Sequence, residues 1–245
     1  QMIKSLLLNL SALLVGLTKA GFGGGSGLVV GPILLQVFPA KETIGMMLPL
    51  LFACDIASLF FYWRKWDTRN LIVLFPGAVV GIGIGYFLLD SVSDEHLKSS
   101  IGIAAIGFAL FQIYRTQFGQ SESRFQPRRW HGSIAGFITG FVSTLAHIGG
   151  TITTMYLLPQ RLANRTFVAT TTAFYFLINS CKIPVYFKLQ VLDVSVLRRL
   201  LPLFPVLLLG TGLGVYLNRR VSSSAFSTII LLIVVLTGLK LLFWR

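Results

Sequence analysis

The sequence is poor in charged residues, and acidic residues are especially scarce. Only 12% of its 245 residues are charged, with 8 Asp and Glu against 21 Lys and Arg, whereas a soluble domain usually carries about a quarter charged residues. A net charge of +13 would suggest nucleic-acid binding in a soluble protein. Here the basic residues stand mostly in short breaks between apolar runs, where they orient a membrane protein and contact anionic lipid. We therefore expect a lipid bilayer, and no nucleic acid, as their partner.

Cysteine and histidine are too few and too scattered for a disulfide framework or a metal centre. The two cysteines, Cys54 and Cys181, lie inside apolar runs and are expected to be small buried side chains. The three histidines, His96, His131 and His147, show no metal-ligand spacing. There is no HExxH string, GxSxG elbow or phosphate-binding loop. The sequence thus predicts no cofactor and no metal, and it disfavours an enzyme, including an intramembrane one.

Apolar runs of membrane-spanning length repeat along nearly the whole chain. Five are long enough to cross a hydrocarbon core about 30 Å thick, and residues 98–114 are at the short limit. The arginine-containing connection 115–130 is expected in the cytoplasm by the positive-inside rule. We predict an all-α membrane protein, a polytopic helical bundle with transmembrane repeats at 1–114 and 131–245. The five long runs are residues 43–63, 70–89, 166–187, 199–217 and 224–243.

Each half opens with a pair of apolar segments that glycine interrupts, and three transmembrane helices are expected to follow each pair. The second segment of each pair is short for a full crossing, so a pair is two crossings, a re-entrant hairpin or one broken crossing. The opening segment is expected in the mature protein, since it runs directly into the first glycine motif. The first pair is 5–20 and 27–38, interrupted by Gly21, Gly23, Gly24, Gly25 and Gly27; the second is 131–147 and 151–159, interrupted by Gly149 and Gly150.

Two motifs recur in the same order in both halves, which predicts an internal duplication. The string 74–76, Leu-Phe-Pro, and its following GxGxG recur at 203–205 with identical spacing, 129 residues later. The glycine pair 24–25 recurs at 149–150, 125 residues later. Interrupted segments at matching places in two repeats point to a transporter binding site. The halves are parallel if each broken pair crosses twice and inverted otherwise, and the loop charges do not decide between these.

The glycine breaks are the predicted site. Each unsatisfied backbone polar group in lipid costs several kcal/mol, so such a break is expected to line a watery cavity or pack against protein. A half-helix beginning after Gly25 or Gly150 would direct free N–H groups at an anion, and Ser26 and Thr151 would add hydroxyl groups. Close helix packing through glycine is the alternative. We favour packing for the GxGxG strings that follow the Leu-Phe-Pro motifs.

Ionisable residues inside apolar runs are costly and usually face a cavity or a partner. Lys19 is expected to bind an anion, with snorkelling to a headgroup as the alternative. Asp55 is expected to pair with a lysine, and Lys182 is a candidate partner. Two roles are open for His147: it contacts the substrate or carries a proton, or it is a buried histidine whose hydrogen bonds are satisfied within the protein. Asn179 lies one helical turn before Lys182 on the same face.

The predicted functional residues form two sets. Candidates for proton coupling are His147 and Asp55. The predicted substrate-binding residues are Lys19, Gly23, Gly24, Gly25, Ser26, His147, Gly149, Gly150, Thr151, Asn179 and Lys182.

At these positions the chain resembles the sulfite exporter family of membrane transporters, often called TauE/SafE. Residues 16–25, Gly-Leu-Thr-Lys-Ala-Gly-Phe-Gly-Gly-Gly, resemble that family's opening motif. Residues 143–150, Ser-Thr-Leu-Ala-His-Ile-Gly-Gly, are similar to a string in one branch of the family, with Thr151 where a proline often stands. The resemblance covers nearly the whole chain and implies a multi-pass transporter of the bacterial inner membrane, with a duplicated four-segment unit. Its substrates would be small sulfur-containing or organic anions such as sulfite or sulfonates.

The expected function is export of such an anion by alternating access around a midplane site between the two breaks. A negative charge leaving an inside-negative cell gains about 2.3 kcal/mol per 100 mV, so export needs no coupled ion, whereas import needs a proton or sodium ion. The alternatives are a coupled importer, a channel-like or receptor-like module for anions, and a structural subunit. A homodimer is one option for its assembly.

Overall fold

A computed structural model of the chain describes residues 2–22, 26–103, 106–107 and 128–218. Within these ranges the regular structure is helical. Short 3-10 turns at Leu158–Gln160 and Leu201–Leu203 prolong two of the helices. The helices are α1 (Met2–Phe22), α2 (Ser26–Leu34), α3 (Ala40–Phe61), α4 (Thr68–Ser91), α5 (residues 94–103), α6 (Arg129–Ala146), α7 (Gly150–Leu157), α8 (Asn164–Lys188), α9 (Val194–Leu200) and α10 (Phe204–Asn218).

Four stretches of the described chain are long and apolar enough to cross a membrane: Met2–Gly21, Ala40–Phe61, Thr68–Ser91 and Val194–Leu217. The first apolar segment of the first broken pair, α1, is thus long enough to cross a membrane by itself. The predicted span 166–187 is a helix, α8. It is not among the four apolar stretches, because its threonines and the buried Asn179 and Lys182 make it more polar. The predicted span 224–243 lies outside the described residues.

Large apolar side chains project outward from α4 and α10. Ile72 and Phe87 on α4 and Leu208 and Leu209 on α10 are exposed. Exposed apolar surface of this extent is unfavourable in water but suits contact with lipid. The surface and the spans together support an integral membrane protein.

Two helix pairs pack through glycine. Gly81 of α4 lies against the carbonyl oxygen of Phe137 on α6, and Gly210 of α10 lies against that of Leu13 on α1. A Cβ at either position would overlap the oxygen, so only glycine allows the backbones to approach this closely. The pairs α4 with α6 and α1 with α10 are the most extensive helix contacts in the described chain.

The outer glycines of the two GxGxG strings have the predicted packing role and the middle ones do not. Gly85 and Gly214 continue the contacts of α4 and α10 one turn later, and a Cβ on Gly85 would lie 2.9 Å from the Thr144 Cβ. Gly83 and Gly212 face outward, and a Cβ on either would have no neighbouring atom of the described chain within 4 Å. The packing prediction is thus confirmed for the outer glycines, whereas the middle ones contact no other helix of the described chain.

The short helices α2 and α7 begin at the two predicted breaks. The second break is described in full: α6 ends at Ala146, His147 adopts a left-handed conformation with φ of 55°, and α7 begins at Gly150. At the first break α1 ends at Phe22 and α2 begins at Ser26. Gly23, Gly24 and Gly25, predicted to contact substrate, lie outside the described residues. All of α2 is buried, and so is most of the adjacent α3.

Candidate functional site

The two breaks meet inside the bundle. Gly27, the second residue of α2, lies against the carbonyl oxygen of His147 with no room for a Cβ. This contact places the start of α2 beside the turn between α6 and α7. A small cavity lies at this junction, with about 20 Å³ open to the centres of water-sized molecules. It is lined by Lys19, Ser26, Leu51, Ser143, His147, Gly150, Tyr175 and Asn179.

One wall of the cavity carries a buried ion pair. The Lys19 ammonium lies 2.7 Å from Asp55 Oδ2 and donates to the Leu51 carbonyl at 3.2 Å. The Asn179 amide donates to the same Asp55 oxygen at 2.8 Å. Lys19 is 4% exposed and Asp55 is fully buried. Lys19 therefore does not snorkel to a headgroup in this structure. The prediction that Asp55 pairs with a lysine is confirmed, but the suggested partner Lys182 is wrong, because Lys19 of α1 fills that place.

Lys182 stands behind the opposite wall, not on it. Its ammonium donates to the Ser143 carbonyl at 3.2 Å, to the Ser143 hydroxyl at 2.9 Å and to His147 Nδ1 at 2.9 Å. These three acceptors use all three N–H groups of an ammonium. Because His147 Nδ1 accepts, its proton is on Nε2, which donates to the Ile44 carbonyl at 3.0 Å. The hydrogen-bond network thus assigns His147 as the neutral tautomer protonated at Nε2.

A chain of hydroxyl groups supports the cavity from the α6 and α7 side. Tyr175 OH lies 2.9 Å from Thr153 Oγ1, which lies 3.2 Å from Thr139 Oγ1. The Tyr175 ring also faces the Lys19 ammonium, 5.3 Å from the ring centroid. The tyrosine is therefore fixed from both sides, and its position bounds the cavity.

The structure brings together five of the predicted binding residues at the cavity: Lys19, Ser26, His147, Gly150 and Asn179. The other described ones, Gly149, Thr151 and Lys182, lie off the wall. Gly149 packs against α6, where a Cβ would lie 2.8 Å from the Thr139 carbonyl oxygen. The Thr151 hydroxyl is buried and has no hydrogen-bond partner among the described residues.

Sequence reasoning missed three lining residues: Leu51, Ser143 and Tyr175. Helical spacing contained a signal for two of them. Ser143 lies four residues before His147, and Tyr175 four residues before Asn179, so each shares a helix face with a predicted residue. Leu51 carried no such signal, since an apolar residue in an apolar run does not stand out.

Comparison with known proteins identifies the family of the chain. Residues 8–241 match the family described as "Sulfite exporter TauE/SafE". Over 163 residues the chain is 28% identical to a probable membrane transporter protein of Methanocaldococcus jannaschii, an alignment that covers 60% of this chain and 58% of the relative. The matched part thus spans less than two thirds of that relative's length. No solved structure matches the chain. Because the family match extends over nearly all of the sequence, the chain belongs to the sulfite exporter TauE/SafE family of membrane transporters.

Proposed function

We propose that the protein transports a small sulfur-containing or organic anion across the membrane through the cavity between the two breaks. The observation that carries this proposal is the convergence of a lysine and the first residues of two short helices on one small cavity. Small-ligand sites are typically concave, with a few convergent polar groups among apolar ones. Here those polar groups are mainly hydrogen-bond donors.

The donors match the needs of an oxyanion. The Lys19 ammonium has three N–H groups, and Asp55 and Leu51 accept two of them. The third, together with one amide N–H of Asn179 and the Ser26 hydroxyl, remains for a ligand. At α7 the Gly149 carbonyl accepts from the Ile152 and Thr153 N–H groups. The N–H groups that precede them belong to the unsatisfied first turn, where anions bind readily.

Family membership and chemistry together favour a sulfite-like or sulfonate substrate. Both groups present several oxygen atoms around one sulfur, and they can accept from donors that arrive from several helices. Charge-assisted hydrogen bonds of this kind are roughly twice as strong as neutral ones. A carboxylate offers two oxygen atoms and would use fewer of the donors.

A duplicated chain and alternating access fit the helix contacts. Gly16 of α1 lies against the Leu207 carbonyl of α10, as Gly140 of α6 lies against the Ala78 carbonyl of α4. The two glycines are 124 positions apart and the two carbonyls 129. Gly81 of α4 lies against the Phe137 carbonyl and Gly210 of α10 against the Leu13 carbonyl. Here too the glycines are 129 positions apart and the carbonyls 124. These matched contacts support two repeats whose helices pair across the halves, with the two glycine breaks meeting between them.

Location and direction follow from the same proposal. The protein would be a multi-pass component of the bacterial inner membrane and would export its anion, since the membrane potential favours that direction by about 2.3 kcal/mol per charge and 100 mV. In an importer, Asp55 or His147 would carry the coupling proton. Both are buried within reach of the cavity wall.

Ligand binding can be tested by thermal shift on the purified protein. Sulfite, thiosulfate and sulfoacetate should raise the melting temperature, and taurine and simple carboxylates should raise it less. Ser26→Ala should weaken binding about tenfold or more, because a hydrogen bond to a charged group contributes about 1.5–3 kcal/mol. Ser11→Ala is the matched control, since Ser11 is a buried serine away from the cavity. Equal affinity in the two variants would refute the site.

Transport can be distinguished from its alternatives in proteoliposomes. Saturable flux with counterflow is expected of a carrier. Conductance that rises linearly with concentration would indicate a channel, and tight binding without flux would indicate a receptor. A structural subunit would show neither flux nor stabilisation by a small ligand.

A further inference from the structure

The turn that follows α3 and the turn that follows α8 have the same local geometry. Arg64 in the first turn and Gln190 in the second both adopt the left-handed conformation, with φ of 56° and 55°. Asp67 and Asp193 then cap the next helix, each through a carboxylate that accepts from the backbone N–H three residues later. Both pairs are 126 positions apart, an offset that lies between those of the two repeated motifs. The two turns are therefore equivalent positions of the two repeats, and we name the ends of the bundle at which they lie the Asp67 end and the Asp193 end.

These equivalent turns lie at opposite ends of the bundle, because α3 and α8 are antiparallel. The Arg165 guanidinium at the start of α8 donates to the Phe61 carbonyl at the end of α3, at 3.4 Å. At the other end of both helices, Gly45 near the start of α3 lies against the Val191 carbonyl just after α8. α3 therefore runs toward the Asp67 end, and α8 runs away from it.

The directions of the other long helices follow from their contacts. α1 runs with α3, since Lys4 at its start stands over the Phe38 ring just before α3, and Ala20 near its end accepts from the Tyr62 hydroxyl just after α3. Glycine contacts that advance together along both helices show that α10 is parallel to α1 and α6 to α4. These contacts join Leu13 with Gly210, Leu17 with Gly214, Leu74 with Gly136 and Ala78 with Gly140. α1, α3 and α10 thus run toward the Asp67 end, whereas α4, α6 and α8 run away from it.

Three helices of the first half run opposite to their counterparts in the second half. The repeated motifs match α1 with α6 and α4 with α10, and the equivalent turns match α3 with α8. We infer that the two halves are inverted repeats, so that α2 closes the cavity toward one side of the membrane and α7 closes it toward the other. The inference rests on the duplication within the proposed function and not on the identity of the substrate.

The two short helices lead from the cavity to opposite ends of the bundle. α2 begins at Ser26 on the cavity wall, and the chain continues to Phe38 at the Asp193 end. α7 begins at Gly150 on the wall, and the turn after it brings Gln160 to Asn70 at the Asp67 end, where the two amides exchange hydrogen bonds of 2.8 and 3.1 Å. Each short helix therefore stands between the cavity and one end. Rocking of one inverted repeat against the other would open the cavity past one short helix at a time.

The arginine-containing connection gives the orientation. The positive-inside rule favours the cytoplasm for residues 115–130, and this connection leads into α6, which begins at the Asp67 end. The Asp67 end would thus be cytoplasmic, and α7 would be the cytoplasmic wall of the cavity.

Cysteine labelling at two equivalent positions tests the inversion. Thr68 and Val194, the first residues of α4 and α9, are both exposed. In spheroplasts a membrane-impermeant maleimide should label Val194→Cys, whereas Thr68→Cys should react only after lysis. The wild-type protein, whose Cys54 and Cys181 lie within α3 and α8, gives the background.

Labelling of both variants before lysis, or of both only after lysis, would overturn the inference. The reverse pattern would support the inversion and exchange the sides that α2 and α7 close. The next equivalent pair, Arg69→Cys and Ser195→Cys, should repeat the result if one of the first variants does not fold. Because labelling requires no ligand, absence of anion flux would refute the proposed function and leave the inversion standing.

The assignment of α7 to the Asp67 side can be tested with a thiol in the cavity, Ser26→Cys. Added to this variant, Asn70→Ala removes the amide pair that holds the turn after α7. The cavity thiol should then react several-fold faster from the cytoplasmic side, in inside-out vesicles, and at an unchanged rate from the outside, in spheroplasts. Asn9→Ala, an asparagine of α1 near the Asp193 end, should change neither rate. An increase from the outside alone, an equal increase from both sides, or no increase would overturn the assignment.

Discussion

The contact between Gly27 and His147 can be tested by adding one methyl group. In Gly27→Ala the new Cβ would overlap the His147 carbonyl oxygen. Because close-packed interiors do not tolerate such overlap, α2 would have to move away by about 1 Å. The matched control is Gly31→Ala on the same buried helix. A Cβ there would have Ile101 Cγ2 at 3.9 Å and Met47 Sδ at 4.0 Å as its nearest neighbours, which is ordinary contact.

The two substitutions should differ in the size of their effect. Overpacking in a buried position costs about 1–3 kcal/mol, so Gly27→Ala should lower the free energy of unfolding by about that amount. Gly31→Ala gains helix propensity, but residue 31 stands before Pro32, whose ring disfavours a helical conformation at the preceding residue, so this change should cost less than Gly27→Ala. Gly27→Ala should also weaken anion binding, because the start of α2 and the turn at His147 both line the cavity.

The assay measures thermal unfolding of both variants in detergent and anion affinity at a temperature where both are folded. The reasoning would be refuted if Gly27→Ala matched Gly31→Ala in both quantities. Loss of stability with unchanged affinity would show that the two breaks touch but that their separation does not shape the binding cavity.

Three further predictions concern packing and the membrane surface. Gly81→Ala should destabilise the protein by about 1–3 kcal/mol relative to Gly83→Ala, because only the former meets the α6 backbone, and thermal unfolding checks this. Hydrogen bonds from the Val196 N–H and from Ser195 hold the pKa of Asp193 below its usual value. The stabilisation that the Asp193 carboxylate gives to the start of α9 is therefore present above the ordinary pKa and is lost as the pH falls through the lowered pKa. Hydrogen exchange at α9 should show this acid dependence, and Asp193→Ala should remove it. The exposed pair of Arg199 and Glu42 should give a coupling energy below about 1 kcal/mol in a double-mutant cycle.

Helix positions followed from the hydropathy pattern wherever a run was uninterrupted. The run 43–63 became α3 and the run 166–187 became α8, with ends that differ by only a few residues. The run 199–217 was less well predicted, because the helical stretch already begins at Val194 and is interrupted by a 3-10 turn that contains Pro202. Proline lacks the N–H that a continuous helix requires, so the turn had a signal in the sequence.

Side-chain partners were much harder to predict than helices. Lys19 and Asp55 are 36 positions apart on different helices, and nothing in a single sequence specifies which faces of α1 and α3 meet. For the same reason Lys182 was expected beside Asp55, whereas the crossing of α6 and α8 directs it to Ser143 and His147. Proximity to a glycine break identified residues of the cavity, but not which charges neutralise each other.

The glycine contacts also suggest which parts would move together during transport. α1 is bound closely to α10, and α6 to α4, through contacts that leave no room for a methyl group. Each pair carries one side of the site, since Lys19 belongs to α1 and Ser143 to α6. Close-packed pairs resist internal rearrangement, so alternating access would occur as a displacement of one pair against the other. That displacement would change the junction of Gly27 with His147 first, because it is there that the starts of the two short helices meet.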